Sequence, residues 1–198
     1  MNLLCDVSNF QPYHVCFLET RKNMVIEGSF TKIIYSDSVV SLNGLYIHCP
    51  LEPTQVPMFP LAGSAGPTHS FSGITQVRPT TMATYQENGM TIVTRKIAYV
   101  FSLMNATNIH FVKELNRIEH ELIEYYKEYF KINKTNTYSL RNQLKTGNIR
   151  VIQKVPVTNA EQVTKAAPAP TPNKPLIIKI SGVWETDISI GITYKFTL

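Results

Sequence analysis

The stretch ISIGITYKFTL (188–198) decides the fold class, because apolar and polar residues alternate along it without a break. A period of two is typical of a β-strand with one face buried and the other exposed to solvent. The preceding run LIIKISGVW (176–184) is rich in β-branched residues and joins it through the short connection 185–187. The two runs predict a β-hairpin, with Tyr194 and Phe196 in the core.

Working outward from the hairpin, a longer segment over residues 108–132 has helical periodicity. Its apolar residues recur three or four positions apart, beginning at Val112 and Leu115. This spacing produces one apolar stripe along a helix. Most charged residues fall on the other side, where Glu114 can pair with Arg117 across one turn. The segment predicts one long amphipathic helix.

Upstream of the helix, strand patterns alternate with turn residues. MVIEGSFTKIIY (24–35) predicts a long strand with a bulge or sharp bend at Gly28. VVSLNGLYIHC (39–49) predicts a second extended stretch. The chain is expected to turn at Asp37, at Asn43-Gly44, or at both, since Asn-Gly between apolar runs is a strong hairpin signal.

Two further strand patterns flank the helix. A hairpin centred on Asn88-Gly89 would join residues 81–86 to a long strand over 90–103. After the helix and a basic, polar connector, IRVIQKV (149–155) predicts a short strand.

The order of these patterns favours an OB-like five-stranded barrel, in which a helix lies between the third and fourth strands. Gly28 would bend the first strand so that it serves both halves of the barrel. The strands near Thr81 and Ile149 are then insertions. The expected fold class is mainly β with one long amphipathic helix, in a single domain spanning 1–198. A β-sandwich or jelly roll is the structural alternative.

Two proline-rich stretches interrupt the strand patterns. Residues 50–73 contain five prolines and neither lysine nor arginine, so they predict a long, flexible loop. Residues 156–175 are rich in proline, alanine and threonine, and they predict an extended, flexible linker before the closing hairpin, 176–198.

The residue types that carry catalytic or metal chemistry form no recognisable motif. His120-Glu121 begins like the zinc-binding HExxH sequence, but Glu124 stands where the second histidine is required. The three cysteines are odd in number and share no CxxC spacing, which disfavours a disulfide framework and a zinc site. We expect no enzymatic activity, no cofactor and no metal.

The charge is unevenly distributed along the chain. Net charge is +5, but residues 127–179 alone carry ten basic residues against two acidic ones. This segment is therefore +8 and the remainder −3, a distribution that suits a polyanionic partner. The N-terminal sequence has no basic signal-peptide region, and no apolar run is long enough to cross a membrane. We expect an intracellular protein, nuclear or cytoplasmic, with no membrane partner.

The sequence WETDISIGITYKF (184–196), preceded by Ser181-Gly182, resembles the terminal hairpin of proteins from large DNA viruses and virus-like mobile elements. OB-fold single-stranded DNA-binding proteins are one class among them. The resemblance covers about the last tenth of the chain. It implies a protein of viral or mobile-element origin that binds single-stranded DNA in replication or recombination, and that works in the host cell if it is viral.

Sequence-tolerant binding of single-stranded nucleic acid requires cations for the phosphates and exposed aromatic faces for the bases. The basic segment would capture the strand, and aromatic side chains of the barrel would stack on its bases. The expected partner is single-stranded DNA, with RNA and self-association left open. The candidate residues are Lys32, Tyr35, Tyr46, Arg95, Lys96, Tyr99, Lys131, Lys134, Tyr138, Arg141, Lys145, Arg150, Lys154, Trp184 and Lys195.

A structural protein is the alternative function. A virion or matrix component built on a β-sandwich would use the two proline-rich stretches to contact neighbouring subunits, and it would assemble without nucleic acid. A third alternative is an interaction protein whose proline tracts bind a partner groove.

Overall fold

The computed structural model describes residues 4–54, 80–87, 90–157 and 175–198. Within them the protein is mainly β, with one long helix. Two short 3-10 turns, Val7–Asn9 and Pro12–His14, precede the first strand. The strands are β1 (Val15–Lys22), β2 (Ser29–Ser36), β3 (Ser41–Leu42), β4 (Leu45–His48), β5 (Thr80–Glu87), β6 (Met90–Val100), β7 (Thr135–Thr137), β8 (Asn148–Val157), β9 (Ile177–Glu185) and β10 (Ser189–Thr197), and the helices are α1 (Ala106–Phe130) and α2 (Ser139–Leu144).

The strands form one mixed sheet, which is open in the part of the chain that the structure describes. Its strand order is β1-β2-β9-β10-β8-β6-β5, with β3 beside β2, β4 beside β9 and β7 beside β10. Strand β10 runs parallel to β7 and β8, whereas the other pairs are antiparallel. Helix α1 covers one face of the sheet. Its apolar stripe and the inward-facing residues of the strands form a single core, in which Leu115, Ile118 and Ile178 are fully buried.

The position of β8 differs from the expectation. This strand is not an insertion but an interior strand between β10 and β6. Val151 pairs with Phe196 of β10 on one side and with Ile97 of β6 on the other. Strand β5 also belongs to the sheet, as its edge. A closed five-stranded barrel is not confirmed, because β1 and β5 end the strand path without pairing with each other in the described residues.

The chain before Ser29 also differs from the expectation. Residues 23–28 form the turn between β1, which the pattern does not predict, and β2. The Asn23 side chain shapes this turn, because its Oδ1 accepts hydrogen bonds from the backbone N–H groups of Val25 (2.9 Å) and Ile26 (3.4 Å). The predicted strand therefore begins only at Ser29, although Gly28 does mark a sharp bend.

Gly28 is required in this turn for two physical reasons. Its φ of 146° is a conformation that residues with a Cβ rarely adopt. A Cβ at this position would also overlap the carbonyl oxygen of Glu185 on the neighbouring strand.

We expect Gly28→Ala to lower the free energy of unfolding by about 2–3 kcal/mol, because it combines backbone strain with a clash. Urea denaturation measures this change. The control is Ser38→Ala, an exposed position in the turn after β2, which should alter stability by less than about 0.5 kcal/mol. Equal stability of the two variants would contradict the expectation.

The predicted hairpins are present. Strands β5 and β6 pair with Glu87 opposite Met90, across residues 88–89, which lie outside the described residues. Strands β9 and β10 form the closing hairpin. Phe196 is buried in the core, and the half-buried Tyr194 packs against it. Between β2 and β4 the chain turns at both predicted places, since β3 pairs with β2 whereas β4 pairs with β9.

Helix α1 confirms the predicted helix to within two residues at each end. Asn105 caps its first turn, because the side-chain Oδ1 accepts hydrogen bonds from the N–H groups of Thr107 (2.8 Å) and Asn108 (3.2 Å). Glu114 and Arg117 form the predicted ion pair at 2.9 Å.

The connector after α1 contains β7 and α2, which periodicity does not predict. The buried carboxylate of Glu119, on α1, accepts hydrogen bonds from the backbone N–H groups of Leu140 (2.9 Å) and Arg141 (2.8 Å) in the first turn of α2. Burial raises the pKa of Glu119, and the two N–H groups oppose that rise. One carboxylate therefore ties the two helices together.

Most of the two predicted proline-rich segments lies outside the described residues, namely 55–73 and 158–174. In the described start of the first segment, the Glu52 N–H donates to Asn108 Oδ1 at 2.8 Å. Pro53 forms an isolated bridge with Phe101.

Candidate nucleic-acid interface

The sheet has an inner face, covered by α1, and an outer face on the opposite side. Along β2, Thr31, Ile33 and Tyr35 point inward and are buried, whereas the residues between them point outward. The same alternation runs through the neighbouring strands, and the pairing register aligns outward residues across the sheet. Strand register therefore determines which candidate side chains share the outer face.

The outer face carries a row of cations across five adjacent strands. Neighbouring strands are separated by about 4.8 Å, so the row spans roughly 19 Å across the sheet. Its members are staggered along the strands, since Lys32 lies opposite Gly182 and Lys96 lies opposite Ile152. No acidic side chain occupies an outward position among the described side chains of these five strands. The row consists of Lys32 on β2, Lys179 on β9, Lys195 on β10, Arg150 on β8 and Lys96 on β6.

Two of these cations oppose each other directly. Lys179 and Lys195 are cross-strand partners in the β9–β10 register. Like charges in this position destabilise a sheet unless an anion neutralises them. The arrangement is unfavourable for folding alone and favourable for binding a polyanion.

Aromatic rings lie among the cations on the same face. The Lys179 Nζ lies 4.7 Å from the centre of the half-buried Tyr46 ring. Near the β5 edge of the same face, the Lys154 Nζ lies 5.6 Å from the centre of the Tyr85 ring and 3.9 Å from Glu87 Oε2. Trp184 lies on β9, opposite Phe30 of β2 and Gly191 of β10. The outer face thus combines cations with aromatic faces.

Three candidates are not accessible, because they point toward the core. Tyr35 is 3% exposed, and its hydroxyl lies 3.2 Å from His14 Nδ1. Tyr99 is 6% exposed and donates a hydrogen bond to the Leu51 carbonyl oxygen at 2.5 Å. Burial raises the pKa of Tyr99 to about 12. Arg95 is 2% exposed on the inner side of β6. The alternation that exposes Lys32 and Lys96 is what buries these neighbours.

Five other candidates lie with the helices, away from the outer face. Lys134 forms an ion pair with Glu185 at 2.6 Å and holds the β9–β10 turn through the Thr186 carbonyl oxygen. The Arg141 guanidinium lies 4.3 Å from the centre of the Tyr138 ring. The exposed Lys131 and Lys145 lie at the C-terminal ends of α1 and α2. The described part of the basic segment is therefore divided between two surfaces. The candidates on the helix side are Lys131, Lys134, Tyr138, Arg141 and Lys145.

The candidate set omits Lys179, Tyr85 and Phe30, all of which belong to the outer face. A local signal for Lys179 exists in the sequence, because it alternates with Ile178 and Ile180, as Lys195 does with Tyr194 and Phe196. No local signal marks Tyr85 as a member of this face. Its neighbour Lys154 lies on β8, which strand pairing brings close from a remote part of the sequence.

No arrangement for metal chemistry is present in the described ranges. His120 Nδ1 lies 2.9 Å from the Tyr138 hydroxyl, and Glu121 binds Arg117 at 2.9 Å. The described residues contain no group of three or more His, Cys, Asp or Glu side chains that could hold a metal ion. The cysteines, Cys5, Cys16 and Cys49, are free.

None of the helices in the described ranges is both long and apolar enough to span a membrane. Comparison with known proteins found no matching family model, no matching curated protein and no matching solved structure.

Proposed function

We propose that this protein binds single-stranded DNA on the outer face of its sheet, without sequence preference, in replication or recombination. The observation that carries the proposal is the row of five cations, unaccompanied by outward acidic side chains on the described parts of its strands. Binding needs neither a cofactor nor a metal.

Capture of the strand is electrostatic in this proposal. Lysine and arginine side chains on the outer face replace the counterions of the phosphates, and release of those counterions drives association. The apposed pair Lys179 and Lys195 contributes most to the binding free energy, because a bound phosphate removes their mutual repulsion.

Retention of the strand depends on the aromatic faces. Stacking of a base on an aromatic side chain contributes about 1–3 kcal/mol per base and tolerates any sequence. Tyr46 and Trp184 lie on the outer face beside the cations. Bases in a duplex are already stacked and paired, so this term favours single strands.

The OB-like arrangement forms part of the same proposal, in the partly open form that this fold tolerates. It is supported by the neighbouring positions of β2, β9 and β10, which correspond to the bent first strand and to the closing hairpin of the predicted barrel. The binding mechanism needs only the outer face and does not depend on closure of a barrel.

The test is a titration of the protein with end-labelled oligo-dT, duplex DNA and oligo-U, followed by fluorescence anisotropy at several salt concentrations. We expect tight binding of oligo-dT, weak binding of the duplex, and a log–log salt slope of about −3.5 for five phosphate contacts. Affinity for oligo-dT should then fall about a hundredfold between 50 and 200 mM salt.

Absence of binding at low salt would overturn the proposal. If light scattering then showed a large, homogeneous assembly, the structural-protein alternative would be favoured. Equal binding of oligo-U would extend the partner class to RNA.

A further inference from the structure

A groove of about 760 Å³ lies at one end of the outer face, between the β1–β2 turn and Trp184. Its floor is a cross-strand row: Arg21 of β1 pairs with Phe30 of β2, which pairs with Trp184 of β9. Gly191 of β10 completes the row beside Trp184. A cation and two aromatic rings are thus aligned at the end of the cationic row.

The indole of Trp184 is held in a defined orientation. Its Nε1 donates a hydrogen bond to the Ile192 carbonyl oxygen at 3.2 Å. The ring packs against Gly191 so closely that a Cβ there would lie 2.6 Å from Trp184 Cζ2. The backbone of β10 therefore supports one side of the indole, while Trp184 also lines the groove.

The wall of the groove opposite Trp184 is an apolar turn. Met24 and Val25 are 92% and 90% exposed, although burial of either apolar side chain would lower the free energy. Hydrogen bonds from the backbone of Val25 and Ile26 to Asn23 Oδ1 hold the turn in place. Exposed apolar side chains beside a fixed aromatic ring suit a flat, largely apolar ligand.

The charge around the groove suits an anion attached to that ligand. Arg21 and Lys22 line the groove, together with the polar side chains of Thr186 and Thr193. Glu19 lies 3.6 Å from Arg21, but both side chains are about 80% exposed and free to separate.

We infer that this groove binds one unstacked nucleobase of the DNA strand, between Trp184 and the β1–β2 turn, with the adjoining phosphate on Arg21 or Lys22. The inference rests on the proposed function and adds to it a defined base-binding site. Ligand pockets of this kind usually hold about 300–1,000 Å³, so the groove accommodates a nucleotide.

The test uses two strands of equal length, oligo-dT and an abasic deoxyribose-phosphate strand, with two readouts. Anisotropy of the labelled strand reports binding of either. Fluorescence of Trp184, the single tryptophan of the chain, reports a base stacked at the groove. We expect both strands to bind, oligo-dT alone to quench Trp184, and oligo-dT to bind about 5- to 150-fold more tightly.

A variant of exposed groove residues tests whether the preference for oligo-dT arises at the groove. Met24→Ser with Val25→Ser should weaken oligo-dT binding about tenfold, the effect of losing roughly 50 Å² of apolar contact, and leave abasic-strand binding unchanged. The matched control is Val39→Ser with Met104→Ser, which removes the same two residue types at positions 86% and 93% exposed elsewhere. The control should bind both strands as the wild type does.

The outcomes separate the two proposals. The groove assignment would be overturned if oligo-dT bound without quenching Trp184, or if the two double variants weakened binding equally. Either result would leave the proposed binding on the cationic face intact. If neither strand bound, the proposed function would be overturned, and the groove assignment with it. Concentration-dependent quenching without DNA would show that a second copy of the chain occupies the groove, which also overturns the assignment.

Discussion

The triple variant Lys96→Gln, Arg150→Gln, Lys195→Gln is expected to bind oligo-dT about a hundredfold more weakly than the wild type at 0.1 M salt. The three side chains are exposed on adjacent strands of the outer face. Each removed phosphate contact should reduce the log–log salt slope by about 0.7, so the slope should fall by about 2. Anisotropy titrations at four or more salt concentrations measure both quantities.

The matched control is Lys113→Gln, Lys131→Gln, Lys145→Gln. These lysines are also exposed, and they lie with the helices. Both triple variants lower the net charge from +5 to +2, so a nonspecific effect of charge would weaken binding equally. We expect the control to bind within about threefold of the wild type and to keep its salt slope, because remote exposed charges are screened. Equal losses in the two variants would refute a binding site on the outer face.

Glu119→Ala is expected to lower the free energy of unfolding by about 3–5 kcal/mol. Two hydrogen bonds from backbone N–H groups to a buried carboxylate would be lost, and the Leu140 N–H would be left without its partner inside the core. Leu140 and Leu144 are fully buried, so loosening of α2 also exposes apolar surface. Urea denaturation measures the loss, and Glu128→Ala, at an exposed site on the same helix, should change stability by less than about 0.5 kcal/mol. A similar loss in both variants would contradict the role of the carboxylate.

Glu119→Gln provides a reference without an ionisable side chain at this position. It also loses one of the two hydrogen bonds, because the NH2 group of glutamine cannot accept from a backbone N–H. Burial raises the pKa of Glu119 above its value in the unfolded chain, about 4.3, so the folded state binds the proton more tightly. The stability of the wild type relative to Glu119→Gln should therefore be greatest below that pH. It should decline as the pH rises through the folded-state pKa. A difference that stays constant between pH 4 and 7 would show that the carboxylate pKa is unchanged by folding.

Local patterns predicted those elements whose evidence lies within one segment of chain. The alternation 188–198 predicts β10, and the stripe beginning at Val112 predicts α1, because a strand and an amphipathic helix each repeat their own period. Asn88-Gly89 and Asn43-Gly44 likewise predict turns, because these dipeptides have strong backbone preferences of their own. The presence of Lys195 on a half-exposed strand was predictable for the same reason.

Tertiary structure alone decided the strand neighbours that no predicted hairpin joins. Val151 lies between Phe196 and Ile97, residues that are distant from it in sequence, so no local signal distinguishes an interior β8 from an insertion. Glu119 is similar, since its partners in α2 come from a different segment. The turn 23–28 misleads a local pattern, because its apolar residues occupy exposed positions that alternation assigns to a strand.

The sequence by itself determined that Lys32 and Tyr35 lie on opposite faces of one strand, since their spacing is odd. Only the tertiary structure decided that Tyr35 faces the core, because helix α1 covers one side of the sheet and leaves the other side to solvent. Periodicity groups residues into faces, but the choice of the buried face depends on apolar contacts between segments remote in sequence. The same physical reason places Lys32, Lys179, Lys195, Arg150 and Lys96 together on the outer face and leaves the helix-side cations apart.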